Sequence, residues 1–424
     1  MNKNINPICK TFVVKIASRC NINCSYCYMY NMGDESYKGQ PKVMSIETLE
    51  KMITRAKEHC LDNNLNRFTF VLHGGEPLLA GKKFVENFVN TANTIFKETQ
   101  VEVFFTLQTN GLLLTDDWCQ LLKRLKISLG ISLDGLKEDN DKNRKDHKGN
   151  GTYDKVIKAL TLTQKEEHTL DAGLLSVINI NSSPTNIYKS FKSLNVFSTD
   201  FLIPEANYDS LPIMPNTGDF LNSETPYGDW LIELFNIWFN DKDKLYIRRF
   251  QQYIYSIMGA DINGDDMGNS NNEVLVIETN GDYEAVDALK ICGNNFTKSS
   301  ANVSNYTVSQ AMETKLAKEY YSSHFNLPSK CIACPISETC GGGYIPHRYS
   351  SKNGFNNPSV YCNDLLKLIT HIQNIVIDEI PYTLRKESGI EKITYENALE
   401  IIKETLPTIE KPKYTEILES FSIK

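Results

Sequence analysis

Three cysteines in the segment CNINCSYC carry the clearest chemical signal in this sequence. Cys20, Cys24 and Cys27 form a Cys-x3-Cys-x2-Cys pattern directly after a strand-like segment. A cubic 4Fe–4S cluster usually takes four cysteine ligands, so three closely spaced thiolates predict a cluster with one iron open to a non-protein ligand. A zinc site completed by a distant His or Cys is the alternative, but zinc ligands usually come in two separated pairs.

A second cysteine set lies near the carboxyl end of the chain. Cys331, Cys334 and Cys340 follow one another in a Cys-x2-Cys-x5-Cys pattern, and Cys362 comes later. Four thiolates make a closed site, which suits a structural zinc ion or a 4Fe–4S cluster equally well. The remaining cysteines are unclustered, and we expect them to be ordinary buried thiols: Cys9, Cys60, Cys119 and Cys292.

Short polar loops follow several strand candidates. In HGGEP, the glycines Gly74 and Gly75 let the backbone approach a ligand closely, and the Glu76 carboxylate can accept hydrogen bonds from an ammonium group. A plain turn is the alternative for this loop. The loops QTNG and SLDG repeat the arrangement with polar side chains that can hold a ribose or a carboxylate: Asn110, Ser132 and Asp134.

Two further side chains suit the same ligand chemistry. Tyr26 lies between two of the cysteines, where its ring can shield a cluster from water or lie against a purine. Arg144 lies in a loop rich in Lys and Asp, where a solvated surface position is the default. Its guanidinium could instead bind a ligand carboxylate bidentately.

Apolar runs alternate with amphipathic stretches through the first half of the chain. The strand candidates are Thr11–Ala17, Phe68–His73, Val101–Thr109, Ile127–Leu133, Gly173–Asn179 and, more weakly, Val196–Ile203. The helix candidates are Ser45–Cys60 with Ser45 as N-cap, Lys83–Glu98, Asp116–Leu125 and Tyr153–Glu167. Repeated strand–helix units predict an α/β fold with a parallel sheet, either doubly wound or closed into a whole or partial TIM-type β/α barrel. The barrel is favoured because the polar loops follow the carboxyl ends of strands, which is the active face of such barrels.

Changes in composition divide the chain into four segments. We predict a barrel at residues 1–215, a helical bridge at 216–272, a domain holding the second cysteine set at 273–365, and a helical, charged tail at 366–424. The aromatic stretch DWLIELFNIWF and the cluster NGDDMGNSNN mark the bridge.

Composition also excludes several function classes. The net charge of -7 is mild. The sequence has no cluster of basic residues of the kind that binds nucleic-acid phosphates. No apolar run approaches the roughly 18 residues that a membrane span needs, and the opening residues lack a secretory signal. We therefore expect a cytoplasmic protein without nucleic-acid or membrane partners, whose clustered cysteines bind metal and form no disulfides.

The triplet, its neighbouring aromatic residues, GGEP and SLDG together resemble the radical S-adenosylmethionine (radical SAM) enzymes over about the first half of the chain. The resemblance implies that Cys20, Cys24 and Cys27 hold a 4Fe–4S cluster whose open iron binds S-adenosylmethionine. It also implies the contacts of that cofactor. Tyr26 would meet the adenine, the methionine amine would meet Gly74, Gly75 and Glu76, and Ser132 and Arg144 would make further contacts, with Asn110 and Asp134 at the same rim.

The carboxyl-terminal region resembles the SPASM extension of these enzymes, where such a quartet binds an auxiliary 4Fe–4S cluster. Three further cysteines of the full SPASM pattern are missing. Tyr344 and Val286 stand at two of these positions, and the stretch before Gly281 has no cysteine. We therefore predict two clusters in all, or about eight irons per chain.

Asp287 follows Val286 directly, and in relatives with this extension an acidic residue at this place can be the base that takes a proton from the substrate radical. A local hydrogen bond near a turn is the plain alternative for Asp287. The segments VIETNGDYEAVDALK, CGGGYIPHRYS and GFNNPSVYCNDL resemble maturases of ribosomally made peptides that form three-residue cyclophanes. In such a maturase His347, Arg348 and Tyr349 could face the peptide or have structural roles.

The resemblance implies a peptide-modifying radical enzyme. It would remove a side-chain β-hydrogen from a ribosomally made precursor peptide and join that carbon to an aromatic ring, with electrons from a donor such as flavodoxin or ferredoxin. Thioether formation and oxidation of a Cys or Ser side chain are alternative reactions on a peptide or protein. A metal-binding regulator without turnover is the alternative outside enzymes, although a regulator has no use for an open iron.

Overall fold

The computed structural model of the chain describes residues 7–423. Buried strands alternate with amphipathic helices along it. The strands are β1 (Thr11–Ala17), β2 (Ile22–Cys24), β3 (Arg67–Gly74), β4 (Glu102–Thr109), β5 (Ile127–Ser132), β6 (Arg144–Asp146), β7 (Ala172–Val177), β8 (Ser198–Leu202), β9 (Tyr246–Ile247), β10 (Val274–Ile277) and β11 (Tyr283–Glu284). The helices are α1 (Ile46–Asp62), α2 (Lys82–Phe96), α3 (Asp116–Arg124), α4 (Lys137–Asn143), α5 (Tyr153–Thr163), α6 (Pro184–Ser193), α7 (Pro226–Asn240), α8 (Arg248–Ile257), α9 (Val308–Met312), α10 (Lys315–Tyr321), α11 (Ser329–Ile332), α12 (Ser337–Cys340), α13 (Cys362–Glu379), α14 (Tyr382–Ser388), α15 (Tyr395–Thr405) and α16 (Thr415–Glu419). Short 3-10 helices lie at Ser36–Gly39, Pro77–Ala80, Asp287–Cys292, Ile345–Arg348 and Leu406–Thr408.

The chain divides into two compact units. The first unit contains the described residues up to Val177, from residue 7 onward, together with Leu194–Thr199 and Glu273–Tyr321. The second contains Ile178–Ser193, Asp200–Asn272 and the residues from Ser322 onward. The four predicted segments differ from this division, because residues 273–321 belong to the first unit.

A parallel sheet forms the centre of the first unit, in the strand order β11-β10-β1-β3-β4-β5-β7. All neighbours in this order pair in parallel except β10 and β11, which are antiparallel. Phenylalanines fill the core beside the sheet, with Phe12 and Phe68 in an edge-to-face contact at 5.0 Å and Phe70 and Phe105 stacked at 6.0 Å between ring centroids. The predicted α/β class with a parallel sheet is confirmed.

Strand β10 joins this sheet from a distant part of the sequence. Its residue Val274 pairs in parallel with Thr11, and Ile277 pairs with Val14. The sequence analysis did not identify this strand, because four apolar residues cannot be assigned by periodicity alone. The pairing brings the segment that contains Asp287 next to β1.

Local signals define the helices well at their amino ends. The Ser45 side chain accepts a hydrogen bond from the Thr48 backbone N–H at 3.0 Å, which confirms the predicted N-cap of α1. At the other end, α5 stops at Thr163, and the predicted extension to Glu167 is wrong. The residues 164–167 are exposed and offer no apolar side chain to bury, so packing does not extend the helix.

Aromatic helices form the core of the second unit. Phe235 on α7 contacts Phe250 on α8 edge to face, at 5.2 Å between centroids, and Trp230 and Trp238 are fully buried. The Trp238 indole N–H donates to the Leu245 carbonyl oxygen at 2.7 Å, which satisfies the polar atom of a buried ring. Within residues 7–423, the structure contains no helix with the length and apolar character of a membrane span.

Candidate active site

The cysteine triplet lies in the loop that follows β1. Strands β2 and β6 pair in an antiparallel ladder in which Cys24 stands opposite Arg144. After this ladder the chain turns tightly, and the Cys27 backbone N–H donates to the Cys24 carbonyl oxygen at 3.1 Å. The ladder therefore fixes both the middle cysteine and the arginine that the sequence analysis singled out.

Burial strongly disfavours free thiolates in this loop. It raises the pKa of Cys20 to about 12 and that of Cys27 to about 11, and it also raises the pKa of Cys24. A coordinated metal removes this penalty, because a thiol that binds a metal ion is deprotonated outright. The donor set of three clustered thiols, of which Cys24 is buried and the other two are half-buried, therefore fits a metal cluster.

The HGGEP loop is held tightly against the start of the triplet loop. The Gly75 and Glu76 backbone N–H groups donate to the carbonyl oxygens of Ala17 and Arg19, both at 2.9 Å. A Cβ atom at Gly75 would lie 2.0 Å from the Tyr30 hydroxyl oxygen and 2.5 Å from the Arg19 backbone. Glycine is needed at position 75 because the HGGEP loop touches the triplet loop. Since the backbone N–H groups of Gly75 and Glu76 are used in this contact, the loop offers backbone carbonyl oxygens to a ligand.

Glu76 is fully buried and does not lie at a solvated rim. Its carboxylate accepts hydrogen bonds from the Leu78 N–H at 3.0 Å, the Thr109 hydroxyl at 2.7 Å and the Asn110 N–H at 2.8 Å. Burial raises the pKa of Glu76, and these three hydrogen bonds oppose the shift. The carboxylate thus joins the ends of β3 and β4 and has about one acceptor position left for a ligand.

Asn110 connects this network to the triplet. Its side-chain amide donates to the Asn21 side-chain oxygen at 2.7 Å and lies 3.7 Å from the Cys20 sulfur. Hydrogen bonds to a ligand sulfur are one of the factors that set the potential of an iron–sulfur cluster. Ser132 makes a different contact, because its hydroxyl accepts from the Gln108 side-chain amide at 2.9 Å.

Tyr26, Asp134 and Arg144 form one buried network. The Tyr26 hydroxyl donates to an Asp134 oxygen, and the Arg144 guanidinium donates to the Tyr26 hydroxyl at 2.8 Å. Asp134 also accepts from the Val177 N–H at 3.0 Å, and burial raises its pKa. Arg144 is buried, so the solvated position that was its default expectation is wrong, and its Nε has no partner among the described residues.

A second buried network surrounds Asp287. The fully buried Lys15 on β1 donates to Asp287 Oδ2, and its Nζ lies 2.8 Å from His73 Nδ1 and 3.5 Å from the Met29 sulfur. The Tyr28 hydroxyl donates to the same Asp287 oxygen at 2.9 Å. Burial raises the pKa of Asp287, but the charge of Lys15 outweighs it and holds that pKa well below its usual range. Burial and Lys15 together lower the pKa of His73 to about 3.

The second cysteine set lines a pocket in the second unit. Cys331 lies on α11, Cys340 ends α12 and Cys362 begins α13, while Cys334 lies in the turn between the two short helices. The pocket has a mainly apolar wall beside Lys330: Ile336, Leu365, Leu366 and Ile402. Burial raises the pKa of Cys331 to about 12 and that of Cys334 to about 11. Free thiolates are therefore disfavoured here as well, whereas thiolates bound to a metal are not.

Arg348 and Tyr349 are fully buried in the second unit. The Arg348 guanidinium donates to the backbone oxygens of Ser323 at 2.8 Å, Asn326 at 2.7 Å and Phe355 at 3.2 Å. These bonds give Arg348 a structural role. His347 is also buried and has its Nε2 3.3 Å from a Glu205 carboxylate oxygen.

The structure therefore brings together Tyr26, Asp134 and Arg144, and it connects Glu76 through Asn110 to Cys20. Lys15 was not identified from the sequence as a site residue, and His73 was considered only as part of the HGGEP turn. A signal was available for Lys15, since it is the single charged residue in the apolar strand TFVVKIA. The four unclustered cysteines are buried, as predicted.

Comparison with protein families gives a match at residues 14–170 to the Radical SAM superfamily. The chain is similar to the cysteine-type anaerobic sulfatase-maturating enzyme of Clostridium perfringens strain 13, with 26% identity over 372 residues that cover 84% of this chain and 94% of that protein. It is also similar to the serine-type anaerobic sulfatase-maturating enzyme of Bacteroides thetaiotaomicron, with 25% identity over 377 residues that cover 85% and 88% of the two proteins.

Solved structures share the fold. The native anSMEcpe with bound AdoMet has a TM-score of 0.71 at 24% identity, over 87% of this chain and 98% of that chain. Streptococcus suis SuiB bound to S-adenosylmethionine has a TM-score of 0.53 at 15% identity, over 81% and 74%. At these identities the structural similarity establishes the fold.

Proposed function

We propose that this chain, an enzyme with a radical SAM domain at residues 14–170, removes two electrons and two hydrogens from a side chain of a peptide substrate. Similarity along most of the chain to enzymes that mature sulfatases supports a peptide or protein substrate. It also argues against the metal-binding regulator that the sequence left open. The observation that carries the proposal is the buried Asp287, which accepts hydrogen bonds from Lys15 and Tyr28 in the same unit as the cysteine triplet.

Cys20, Cys24 and Cys27 would hold the first 4Fe–4S cluster. The raised thiol pKa values support a bound metal over free thiols, and the match of residues 14–170 to the Radical SAM superfamily supports an iron–sulfur cluster over one zinc ion. With S-adenosylmethionine bound and one electron supplied, this site provides a 5'-deoxyadenosyl radical that takes a hydrogen atom from the substrate.

The buried polar groups around the triplet would hold S-adenosylmethionine. Arg144 has an unpartnered Nε and can offer its guanidinium to the carboxylate of the ligand. The Tyr26 ring, fixed through its hydroxyl by Asp134 and Arg144, would lie against the adenine. Gly74 and Gly75 would offer carbonyl oxygens to the amine. Glu76 and Asn110 would mainly hold these loops in place, and Ser132 would contact the ligand from β5.

Asp287 would be the base. Two donors, Lys15 and Tyr28, both occupy Oδ2, so Oδ1 remains for the substrate proton. The lowered pKa keeps Asp287 a carboxylate throughout the physiological range. A weak base suffices, because a proton beside a carbon radical that can become a double bond or an aromatic ring is strongly acidic.

The quartet Cys331, Cys334, Cys340 and Cys362 would hold an auxiliary 4Fe–4S cluster, which is a one-electron acceptor. The pocket lined by four cysteines supports a metal site, and the resemblance of this region to the SPASM extension supports a 4Fe–4S cluster over zinc. With three cysteines of the full SPASM pattern missing, we propose two clusters per chain.

We further propose that the product is a crosslink between a side-chain β-carbon and an aromatic ring. The substrate loses a hydrogen atom from the β-carbon, the carbon bonds to the ring, and the ring then loses one electron and one proton. The resemblance of CGGGYIPHRYS and its neighbouring segments to cyclophane-forming maturases supports this reaction. Oxidation of a Ser or Cys side chain to an aldehyde is the second candidate, and similarity to the sulfatase-maturating enzymes favours it.

Mass spectrometry distinguishes these outcomes. The chain is co-expressed with short open reading frames adjacent to its gene, and the peptides are treated with an aminooxy reagent. A crosslink gives a peptide two hydrogens lighter that does not react with the reagent. Serine oxidation gives the same mass but reacts, and cysteine oxidation also replaces sulfur by oxygen. An unchanged mass or an added methyl group in every co-expressed peptide would refute the proposed reaction.

Asp287→Asn tests the base, with Asp282→Asn as the matched control at an Asp that pairs with Asn302 near the surface. The Asp287→Asn enzyme should still cleave S-adenosylmethionine but should give at least about a hundredfold less product per 5'-deoxyadenosine, the lower end of the range for general-base loss. The Asp282→Asn enzyme should match the wild type. Equal coupling in both variants would remove Asp287 from the mechanism.

A further inference from the structure

Lys15 on β1 contacts both Asp287, which is the base in the proposed function, and His73 on β3. Lys15 on β1 pairs in register with His73 on β3, so both side chains leave the sheet at the same level. Asp287 follows β11 at the other side of β1. The sheet order thus places one cation between an imidazole and a carboxylate.

The chemistry of the lysine fixes the direction of each hydrogen bond. An ammonium group has three donors and no acceptor. The three neighbours of Lys15 Nζ are Asp287 Oδ2, His73 Nδ1 and the Met29 sulfur, and each must therefore accept. His73 Nδ1 has no proton in this arrangement, so the proton of the neutral imidazole lies on Nε2.

The atoms of Asp287 and His73 that Lys15 does not contact therefore have different hydrogen-bonding roles. The described contacts of Asp287 all use Oδ2, and the described contact of His73 uses Nδ1. Asp287 Oδ1 and His73 Nε2 remain, the first as an acceptor and the second as a donor. His73 as a whole is half-buried and not sealed in the core.

We propose that Lys15 is a positioning residue that holds Asp287 as an acceptor and His73 as a permanent hydrogen-bond donor, and that His73 Nε2–H binds a backbone carbonyl of the peptide substrate. This inference rests on the proposed function, because it assigns Asp287 as the base. A peptide unit next to the reacting side chain offers both a carbonyl oxygen for the donor and a proton for the acceptor. A substrate with a free anionic group would gain little, since Asp287 would repel it.

The charges that surround His73 explain why it would stay a neutral donor. Lys15 lies beside the His73 Nδ1 atom, and Asp287 supplies negative charge nearby. Glu278, which interacts with Lys15, supplies negative charge from farther away. The Tyr28 hydroxyl donates a hydrogen bond to Asp287. A proton on Nδ1 would face the ammonium group directly. His73 should therefore present the same Nε2–H from about pH 5 to pH 8, the range in which an ordinary histidine titrates.

The first test needs neither substrate nor turnover. Diethyl pyrocarbonate modifies neutral imidazole, so its rate at His73, followed by peptide mapping of the anaerobic holoenzyme, reports the protonation of this side chain. In the wild type the rate constant for modification of His73, corrected for hydrolysis of the reagent, should change less than about twofold between pH 5 and pH 8. In Lys15→Met this rate constant should fall severalfold towards pH 5, because the repelling charge is gone and Asp287 remains.

Two variants control this experiment. Lys10→Met removes a lysine that pairs with Glu273 just before β1, and it should leave the His73 profile unchanged. Lys15→Met with Asp287→Asn removes both buried charges together and keeps the test available if the single variant does not fold. A wild-type rate that falls tenfold towards pH 5, or a Lys15→Met profile equal to the wild type, would overturn the inference whatever the reaction proves to be.

The second test uses a peptide that the wild type has been seen to modify. His73→Gln retains a side-chain N–H donor, whereas His73→Leu has a similar size and no donor. We expect the KM of His73→Leu to rise about three- to tenfold and that of His73→Gln to stay within about twofold of the wild type, in line with one hydrogen bond to a neutral group. Equal KM values for the two variants would contradict the donor role. Failure of the wild type to modify any peptide would instead count against the proposed function.

Discussion

Lys15 and Asp287 are 272 positions apart in the sequence, yet the Lys15 ammonium group donates a hydrogen bond to the Asp287 carboxylate. The contact exists because β10 pairs in parallel with β1 and brings the following turn beside the same strand. Both side chains are buried, so each charge depends on the other, and removing one partner of such a pair is strongly destabilising. The candidate base is therefore held by the sheet itself.

Arg144 should control the binding of S-adenosylmethionine. Arg144→Met removes a buried cation whose Nε has no described partner, so the Kd for S-adenosylmethionine should rise by about tenfold or more, as expected for a hydrogen bond to a charged group. Arg67→Met changes an exposed arginine on β3 and is the matched control. Equilibrium dialysis of the anaerobic holoenzymes measures both, and an unchanged Kd in Arg144→Met would remove this residue from the site.

Gly75 should tolerate no side chain. A methyl group there would meet the Tyr30 hydroxyl and the Arg19 backbone, so Gly75→Ala should lower the free energy of unfolding by about 1–3 kcal/mol, the usual cost of overpacking. A Cβ at Gly39 meets no atom within 4 Å, and Gly39→Ala should be close to neutral. Denaturation midpoints of the two variants provide the comparison. Equal midpoints would mean that the two loops are not in close contact.

The number of clusters follows from the cysteines present. Anaerobic reconstitution should give about eight irons per chain, and Cys24→Ala or Cys340→Ala should each leave about four. Cys119→Ala changes a buried, unclustered thiol and should leave the iron content unchanged. Twelve irons per wild-type chain would show that a third cluster forms despite the missing cysteines.

Sequence patterns identified the features that neighbouring residues in the sequence determine. β1 has the predicted bounds, Ser45 caps α1 as expected, and the triplet with its flanking strand could be read directly from residue spacing. The buried position of Arg144 and the network around Asp287 could not be predicted in this way. Both depend on pairing between distant segments, β2 with β6 and β1 with β10, and short strands of three or four residues leave no periodic signal.

His73 should also make stability depend on pH. Its pKa in the folded chain is about 3, below the ordinary value of 6.5, because burial and Lys15 disfavour the charged form. The unfolded chain therefore binds more protons than the folded chain between these values, and the contribution of His73 to stability is complete above about pH 6.5 and is lost as the pH falls towards 3.

The variant His73→Gln isolates this contribution. Its free energy of unfolding should fall less steeply than that of the wild type below pH 6.5, by at most about 1.4 kcal/mol per pH unit, the value for one proton. Urea unfolding at several pH values measures the two slopes. Parallel curves would mean that His73 has the same protonation in the folded and unfolded chains.

The central claim is that the triplet forms a cluster at which this chain cleaves S-adenosylmethionine reductively. The most direct measurement is 5'-deoxyadenosine formation by the anaerobic holoenzyme with S-adenosylmethionine and dithionite, compared among the wild type, Cys24→Ala and the control Cys119→Ala. We predict formation by the wild type and Cys119→Ala and none by Cys24→Ala. Continued formation by Cys24→Ala, or none by the wild type, would contradict the account.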